Sequence, residues 1–470
     1  MKQFVNTVVA SNTPKGVARL STQACVMGKG YLGAMGMPHH RDVLIPQTVP
    51  RLDGVNIVNA SAGWGHSSFV DEDGMLYVCG RTHDYRNTIR HIRSYQGIKV
   101  MVHSWNFINR FLIRVDFEPQ VVMPGQTEEG SNETIFVKTA CSPGDLTAGL
   151  TDDGQIFTLG ANMHGQLGGG KISLSEYELQ PVEPAIRPVK DSAVNEYEID
   201  PFTDVSLGFQ YGIALTESGK LWSWGKGGRG QLGQGDNETY KAPVQITGTG
   251  SELENVGWKV VNCGFSHAAA VTTDGTPFVW GRMRSVKPVE GRSERFAYDQ
   301  WSPRHVELPS GTEIEDVACS QSNTAFLASD NSVWMMGFRG RGIQYDKTLG
   351  KVSAKDEYDV SHDLISEQDY LAQPIPVTRR PWEDYNLHVV KVYGGIHHTY
   401  AVCDDGSVWR WGWRRSPELV TPFIKSNFKV DEIRAGFNHL VAVGTFTDDA
   451  EFSDKYGKVE NDNIERFCTT

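Results

Sequence analysis

A glycine that ends an apolar strand recurs along the chain and limits the folds open to it. Three positions and one position before this glycine the side chain is large or apolar, as in Trp222 and Trp224, while the residue between them varies. Alternation with a period of two predicts a strand with one buried face. The seven strand-ending glycines are Gly28, Gly80, Gly160, Gly225, Gly281, Gly337 and Gly412. We interpret them as structural repeat glycines, because a repeated feature belongs to the architecture.

Each repeat also carries a hairpin signal. Six residues before the strand-ending glycine stands a pair such as Asp73-Gly74 or Asp274-Gly275. Such pairs tolerate positive φ and close tight hairpins. A further glycine lies eleven residues earlier and predicts a corner: Gly63, Gly208, Gly264 and Gly395, with Pro143 and Ser320 at that spacing in two units. The unit is therefore strand, corner, strand, tight turn, strand and a connection of variable length.

The two ends of the repeat region complement each other. Residues 430–446 contain a corner and strands but no third strand, whereas residues 23–28 form a third strand with no hairpin before it. Pairing them closes a ring and removes two exposed sheet edges. We predict an all-β, seven-bladed β-propeller over residues 22–446, its last blade closed by an N-terminal strand. A leader, residues 1–21, precedes it and an acidic tail, residues 447–470, follows.

The repeat resembles that of the regulator of chromosome condensation (RCC1) family. The resemblance is carried by CGFSHAAAVTTDGTPFVWG at 263–281 and LWSWGKGGRGQLG at 221–233, and it implies a seven-bladed propeller. Members of the family serve as GTPase exchange factors, light sensors, ubiquitin-ligase modules and scaffolds, so the resemblance alone leaves the function open. Light sensing is disfavoured, because a tryptophan follows the corner glycine only at Gly63-Trp64.

The segment Gly225-x-Gly227-x-x-Gly230 has the glycine spacing of a dinucleotide-binding turn. That chemistry also needs a helix whose N-terminus faces the pyrophosphate. The residues after Gly230 supply turn signals up to Pro243 and no helical period. We interpret the segment as the turn that leaves a hairpin, with a bound nucleotide as the minority alternative, and we predict no cofactor.

Four histidines occupy equivalent positions three residues after corner glycines: His66, His267, His398 and His439. A metal site is one interpretation. Equivalent positions on different blades do not converge on one ion, so histidines that bond the turn backbone are favoured, and no metal ligand is predicted.

The stretch from 81 to 114 departs from the composition of the remaining chain. It holds seven arginines and lysines against the single acid Asp84, in a chain whose net charge is −12. Interleaved aromatic residues are typical of RNA binding, so RNA or another anionic partner is one interpretation. The alternative is an insertion that packs its aromatic rings on the blade. The partner-binding candidates are Arg86, Arg90, Arg93, Arg110 and Trp105; the acidic segments 173–204, 353–370 and 447–466 are further candidates.

Composition excludes several classes of function. The negative net charge opposes nonspecific DNA coating, so we expect no chromatin binding. No run approaches the roughly 20 apolar residues of a membrane span. The seven cysteines form no C-x-x-C pair and favour reduced, buried thiols. Neither G-x-S-x-G nor H-E-x-x-H occurs, so no catalytic residue is predicted and a metabolic enzyme is disfavoured.

The sequence predicts a non-enzymatic scaffold that binds protein or ribonucleoprotein partners through loop-bearing faces. The alternative is guanine-nucleotide exchange on a small GTPase. The first acidic residue is Asp42, and GYLGAMGMP at 30–38 is similar to the mitochondrial branch of the family. That branch is associated with ribosome assembly and a membrane-fusion GTPase. We therefore expect a mitochondrial location, with the cytoplasm or nucleus as the alternative.

Overall fold

The structure is a computed structural model and contains seven four-stranded antiparallel sheets. It describes residues 22–30, 33–39, 41–80, 120–122, 134–173, 175–183, 200–247, 253, 256–282, 299–321, 323–338, 370–395, 398–412, 415–448 and 450–456. The predicted seven-bladed propeller is confirmed.

The blades follow one another along the chain, and within each blade the strands are named from the innermost to the outermost. Blade 1 is β3 (Ile57–Ala62), β4 (His66–Asp71), β5 (Leu76–Gly80) and β6 (Gln120–Val122); blade 2 is β7 (Phe136–Cys141), β8 (Leu146–Thr151), β9 (Ile156–Ala161) and β10 (Ser175–Pro181); blade 3 is β11 (Phe202–Gly208), β12 (Tyr211–Thr216), β13 (Leu221–Gly225) and β14 (Tyr240–Gln245); blade 4 is β15 (Trp258–Cys263), β16 (His267–Thr272), β17 (Pro277–Arg282) and β18 (Asp299–His305); blade 5 is β19 (Ile314–Cys319), β20 (Asn323–Ala328), β21 (Val333–Phe338) and β22 (Tyr370–Pro376); blade 6 is β23 (Val389–Gly394), β24 (His398–Cys403), β25 (Val408–Gly412) and β26 (Arg415–Leu419); blade 7 is β27 (Phe428–Ala435), β28 (His439–Phe446), β1 (Gln23–Gly28) and β2 (Val43–Thr48).

Blade 7 joins the two ends of the described chain. Its strand β1 lies between β28 and β2, with Gln23 opposite Gly444 and Gly28 opposite His439. The predicted closure by an N-terminal strand is therefore confirmed. Because β1 takes the place of a third strand, the sheet of blade 7 has the same strand order as the other six.

Burial within a blade follows the strand pattern expected from the sequence. The second strands, such as β4 and β16, are buried along their whole length. On the third strands Trp224, Trp409 and Trp411 lie in the core, while Trp222 and Trp334 are half-buried. These aromatic side chains supply packing area between blades.

Each strand-ending glycine has the backbone conformation that its position requires. All seven have φ between 93° and 129°, a region that side chains other than glycine rarely adopt. At Gly225 an added Cβ would lie 2.6 Å from the carbonyl oxygen of Gln210. These positions therefore tolerate no side chain without strain, which fits a structural role for the repeat glycines.

One corner differs from its predicted register. The N–H of Ser142 donates to Leu146 O, as that of Gly63 donates to His66 O. Ser142, and not Pro143, is therefore the equivalent of the corner glycine, because blade 2 has one extra residue in its corner.

The outermost strands share a feature that the repeat pattern did not indicate. Six of the seven contain proline, which lacks a backbone N–H: Pro46, Pro181, Pro243, Pro303, Pro374 and Pro417. Proline at an unpaired edge opposes pairing with another sheet. These six edges of the disc are thereby protected against edge-to-edge association.

Short helices cover the face opposite the corners. They are α1 (Thr421–Lys425), α2 (Ala450–Asp454) and two 3-10 helices, Pro50–Leu52 and Pro381–Tyr385. After α2, Tyr456 is buried, and its hydroxyl donates to Asp405 in the tight turn of blade 6. Residues 450–456 of the acidic tail thus pack on the propeller, while residues 457–470 and the leader, 1–21, lie outside the described residues.

The described cysteines agree with the sequence interpretation. Cys25, Cys79, Cys141, Cys263, Cys319 and Cys403 are free and buried, whereas Cys468 lies outside the described residues. No described helix is both long enough and apolar enough to cross a membrane.

The corner glycines give a steric prediction. In Gly264→Ala the new Cβ would lie 2.5 Å from Ser320 O on blade 5, so the blades must separate. We expect the free energy of unfolding to fall by about 2 kcal/mol or more and the melting temperature to fall by several degrees. Gly228→Ala is the control, because nothing lies within 4 Å of its Cβ. Equal melting temperatures for the two variants would contradict a close contact between corners.

Candidate functional site: the axial channel and the corner face

The blades surround a channel lined by their innermost strands. The channel encloses a cavity of about 260 Å³, to which β3, β7, β11, β15, β19, β23 and β27 all contribute. Each of these strands has a polar side chain four or two residues before the corner, and four strands have one at both positions: for example Asn59 and Ser61 in blade 1, and Lys391 and Tyr393 in blade 6.

Polar side chains of the innermost strands connect each blade to the next. We call this set of contacts the axial belt. In three junctions a side chain accepts a backbone N–H of the following blade: Thr139 N to Asn59 Oδ1 (2.8 Å), Cys263 N to Ser206 Oγ (2.9 Å) and Cys319 N to Asn262 Oδ1 (2.9 Å). In a fourth, between blades 5 and 6, Val392 N donates to Asp316 Oδ2 (3.2 Å).

The other three junctions use contacts between side chains. Lys138 pairs with Asp204 between blades 2 and 3. Asn59 Nδ2 donates to Glu432 Oε2 (2.9 Å) across the closing junction between blades 7 and 1. The guanidinium carbon of Arg434 lies 4.8 Å from the ring centroid of Tyr393 between blades 6 and 7. All seven junctions therefore have a contact of the axial belt.

A face of the disc is defined by the corners. Register places His66 opposite Gly80 and His267 opposite Gly281, so the third strands end at the same face at which the first strands turn. We call this the corner face. The connections from third to fourth strands, including 81–119 and 339–369, leave and rejoin the propeller there.

Aromatic residues of the corners surround the channel mouth on this face. Phe209 and Phe265 stack with ring centroids 4.3 Å apart and an interplanar angle of 9°. Trp64 and Phe437 meet edge to face at 5.6 Å. All four are half-buried, so part of each ring is accessible at the surface.

The glycine-rich segment of blade 3 connects neighbouring blades. Gln231 O accepts the indole N–H of Trp280 in blade 4 (2.9 Å), and Gln166 O in blade 2 accepts that of Trp224 in blade 3 (2.9 Å). An added Cβ at Gly233 would lie 3.0 Å from Trp280 Nε1. These contacts give the segment a packing role and support its interpretation as a structural turn.

The repeated histidines are buried and point toward the next blade. His66 Nε2 lies 3.3 Å from Leu146 O, His267 Nε2 3.1 Å from Thr324 Oγ1, and His439 Nε2 2.8 Å from Ser67 Oγ. His267 and His439 also have backbone hydrogen bonds, to Asn323 and His66 of the following blades, so backbone contacts are combined with hydroxyl contacts. The described residues contain no group of three His, Cys, Asp or Glu side chains placed to hold a metal.

Burial governs the protonation of two of these histidines. Desolvation lowers the pKa of His267 to about 4 and, together with the charge of His66, that of His439 to about 3. A charged imidazole is disfavoured in an apolar environment. Both rings are therefore neutral at pH 7.

The predicted partner-binding residues Arg86, Arg90, Arg93, Arg110 and Trp105 lie outside the described residues. The segment that contains them leaves from Gly80 at the corner face and rejoins the sheet at Gln120. The acidic segment 353–370 likewise connects β21 to β22 at this face, with only Tyr370 described. Sequence reasoning missed the axial belt, although polar residues at constant offsets from the corner were its signal.

Comparison with known proteins agrees with this geometry. The model of the regulator of chromosome condensation (RCC1) repeat matches residues 23–70 and 218–271, and a second model with the same description matches 202–231. The ranges 23–70 and 218–271 each span the two outer strands of one blade and the two inner strands of the next. The chain carries RCC1 repeats in these ranges and folds as a seven-bladed propeller.

The chain is similar in sequence to two proteins with different names and similar in fold to a solved crystal structure. The chain is 25% identical over 404 residues to protein pim1 of Schizosaccharomyces pombe, covering 84% of this chain and 66% of pim1. It is 25% identical over 378 residues to the ultraviolet-B receptor UVR8 of Arabidopsis thaliana, covering 73% and 81%. The crystal structure of Prp20p from Saccharomyces cerevisiae matches with a TM-score of 0.64 and 17% identity, covering 94% of this chain and 95% of that one. At that identity the structural match supports the shared fold.

The buried histidines predict acid sensitivity of the propeller. Because the folded pKa of His267 is below the unfolded value of about 6.5, protons bind preferentially to the unfolded chain, and stability falls as pH drops from 6.5 toward 4. Asn323 occupies the equivalent position in blade 5, so His267→Asn is a suitable variant. It should reduce the loss of stability between pH 6.5 and pH 4 by up to about 3 kcal/mol. Denaturant titrations at several pH values measure it, with exposed His388→Asn as control. Identical pH profiles for wild type and His267→Asn would contradict the assignment.

Proposed function

We propose that this propeller is a non-enzymatic scaffold that binds protein or ribonucleoprotein partners with its corner face. The observation that carries the proposal is that two features lie on that face. These are the aromatic channel mouth, with Trp64, Phe265 and Phe437, and the strand ends Gly80 and Gln120, which flank the basic segment in sequence. Partly exposed aromatic rings and arginines are the residue types that contribute most to protein interfaces.

The rigidity of the disc supports this proposal. Every junction has a contact of the axial belt, so the strand ends from which the loops leave the corner face are connected from blade to blade. Binding residues on loops that a rigid scaffold positions lose little entropy on association. One structural neighbour, Prp20p, has binding properties to Gsp1p and histones, so a propeller of this fold can bind more than one protein partner.

Guanine-nucleotide exchange on a small GTPase is the second candidate. The likeness to Prp20p, a protein with binding properties to Gsp1p, favours it. Exchange requires a propeller face that distorts the nucleotide site of the partner, and the corner face with its aromatic mouth is our candidate for that surface. Release of labelled GDP from a panel of small GTPases tests it, and no acceleration across the panel would discard exchange.

We further propose that the chain acts in mitochondria. The proposal is supported by the leader without acidic residues and by GYLGAMGMP at 30–38. Imaging of the chain with a C-terminal fluorescent tag tests this location. A diffuse nuclear signal would overturn it.

The basic segment gives the decisive mutation. The variant replaces four arginines by Ala: Arg86, Arg90, Arg93 and Arg110. It should capture less partner in a crosslinking experiment, and the amount captured should depend less on salt concentration, because charge pairs at an interface are screened by salt. The melting temperature should change little, since exposed charges contribute little to folding. Identification of the crosslinked species distinguishes RNA from protein.

A matched control uses four described, exposed basic residues away from the corner face: Lys220, Lys259, Arg304 and Lys425 replaced by Ala. This variant removes the same charge from elsewhere on the disc and should capture partners as the wild type does. If the segment instead packs on its blade, the first variant loses several degrees of melting temperature without selective loss of partners. Unchanged capture would exclude the basic segment as the binding surface.

A further inference from the structure

The sector of the channel between blades 6 and 7 has an unused hydrogen-bond donor. Tyr393 is 5% exposed and lines the cavity, and no described residue accepts a hydrogen bond from its hydroxyl, while the Arg434 guanidinium beside it is a donor. A buried hydroxyl whose proton has no acceptor costs free energy, so such groups are rare in folded proteins. Desolvation and the charge of Glu432 raise the pKa of this phenol, which keeps the proton on the oxygen available for donation.

Two cations lie beside this phenol. The guanidinium carbon of Arg434 is 4.8 Å from the ring centroid of Tyr393, and Lys391 Nζ is 5.7 Å from it. Both residues line the same cavity. Lys391 is exposed and forms no salt bridge with a described residue, in contrast to Lys138, which pairs with Asp204.

The nearby carboxylates are engaged in the axial belt. Glu432 pairs with Arg434 through Oε1 and accepts Asn59 Nδ2 at Oε2. Asp316 Oδ2 accepts the backbone N–H of Val392. Burial raises the pKa of the Asp316 carboxyl, although Lys391 opposes this shift. The sector therefore holds two cations, of which Arg434 is paired with Glu432 and Lys391 forms no salt bridge with a described residue.

We propose that Lys391, Tyr393 and Arg434 form a site in the axial channel that binds an oxyanion, either a carboxylate or a phosphate. An ammonium group, a guanidinium group and a neutral hydroxyl donor together match the acceptor atoms of such an anion. The cavity of about 260 Å³ holds a small anion or the end of a peptide. This site goes beyond the proposed binding of partners to the corner face and does not depend on it.

Access to the site is from the corner face. Trp64, Phe265 and Phe437 line the same cavity at its mouth. An extended peptide that ends in a carboxylate therefore reaches the site past aromatic rings, whereas a free phosphate ion needs no contact with them. The two sources of the anion differ in this respect and are separable by experiment.

Isothermal titration calorimetry of the full chain tests the site at constant ionic strength in chloride. The probes are inorganic phosphate and a pentapeptide with a free C-terminal carboxylate, compared with the same peptide as a C-terminal amide. We expect at least one of the two anions to bind. Tyr393→Phe retains the ring and removes only the oxygen, so it should raise Kd about 5- to 10-fold. Lys391→Met should raise Kd about 10-fold or more.

Lys259→Met is the control, because this exposed lysine lies in β15 on blade 4, away from the sector. It should bind as the wild type does. Melting temperatures of all variants establish that they fold. Binding of phosphate alone supports a site for the free ion, and binding of the acid but not the amide supports a peptide end. Absence of binding to wild type, or equal affinity in wild type and Tyr393→Phe, would overturn the proposal.

Discussion

A hydrogen bond from a backbone N–H to a side chain of the preceding blade is the contact on which this ring depends. An innermost strand has a free edge toward the channel, so its N–H groups have no strand partner there. Asn59, Ser206 and Asn262 each accept one such N–H from the next blade. The same contact satisfies a backbone donor and holds two blades together, because a buried donor without an acceptor is costly.

The corner glycines make this approach sterically possible. At Gly63, Gly264 and Gly436 an added Cβ would lie 2.4 or 2.5 Å from a carbonyl oxygen of the following blade. Side chains at these points would separate the innermost strands and lengthen the hydrogen bonds of the axial belt. Glycine at the corner and a polar residue four or two positions earlier therefore act together.

Much of the fold could be predicted from the sequence, because its signals are local. The period of two, the tight turns and the strand-ending glycines such as Gly225 describe one blade at a time, and counting them gives the ring. The extra residue that places Ser142 at its corner was missed, because a spacing rule does not detect a local insertion. The axial belt was also missed, since each contact, such as Lys138 with Asp204, joins residues on different blades.

The candidate site was predicted less well than the fold. The basic segment was identified by composition alone and lies outside the described residues, so the roles of Arg86 and Trp105 remain predictions. The proposed site at Tyr393 had no sequence signal, because a tyrosine in an apolar strand is usually a packing residue. Its burial at the cavity and the two cations beside its ring become visible only in the folded structure.

Site-resolved hydrogen–deuterium exchange of the innermost strands tests the central claim most directly. If the axial belt closes the ring, the amides of Thr139, Cys263 and Cys319 are bonded across blade junctions and should exchange only with global unfolding. Their protection should then equal that of amides in the fully buried second strands, such as Ala269 in β16. Rapid exchange of these amides under conditions where Ala269 stays protected would show that the junctions open independently and would contradict the account.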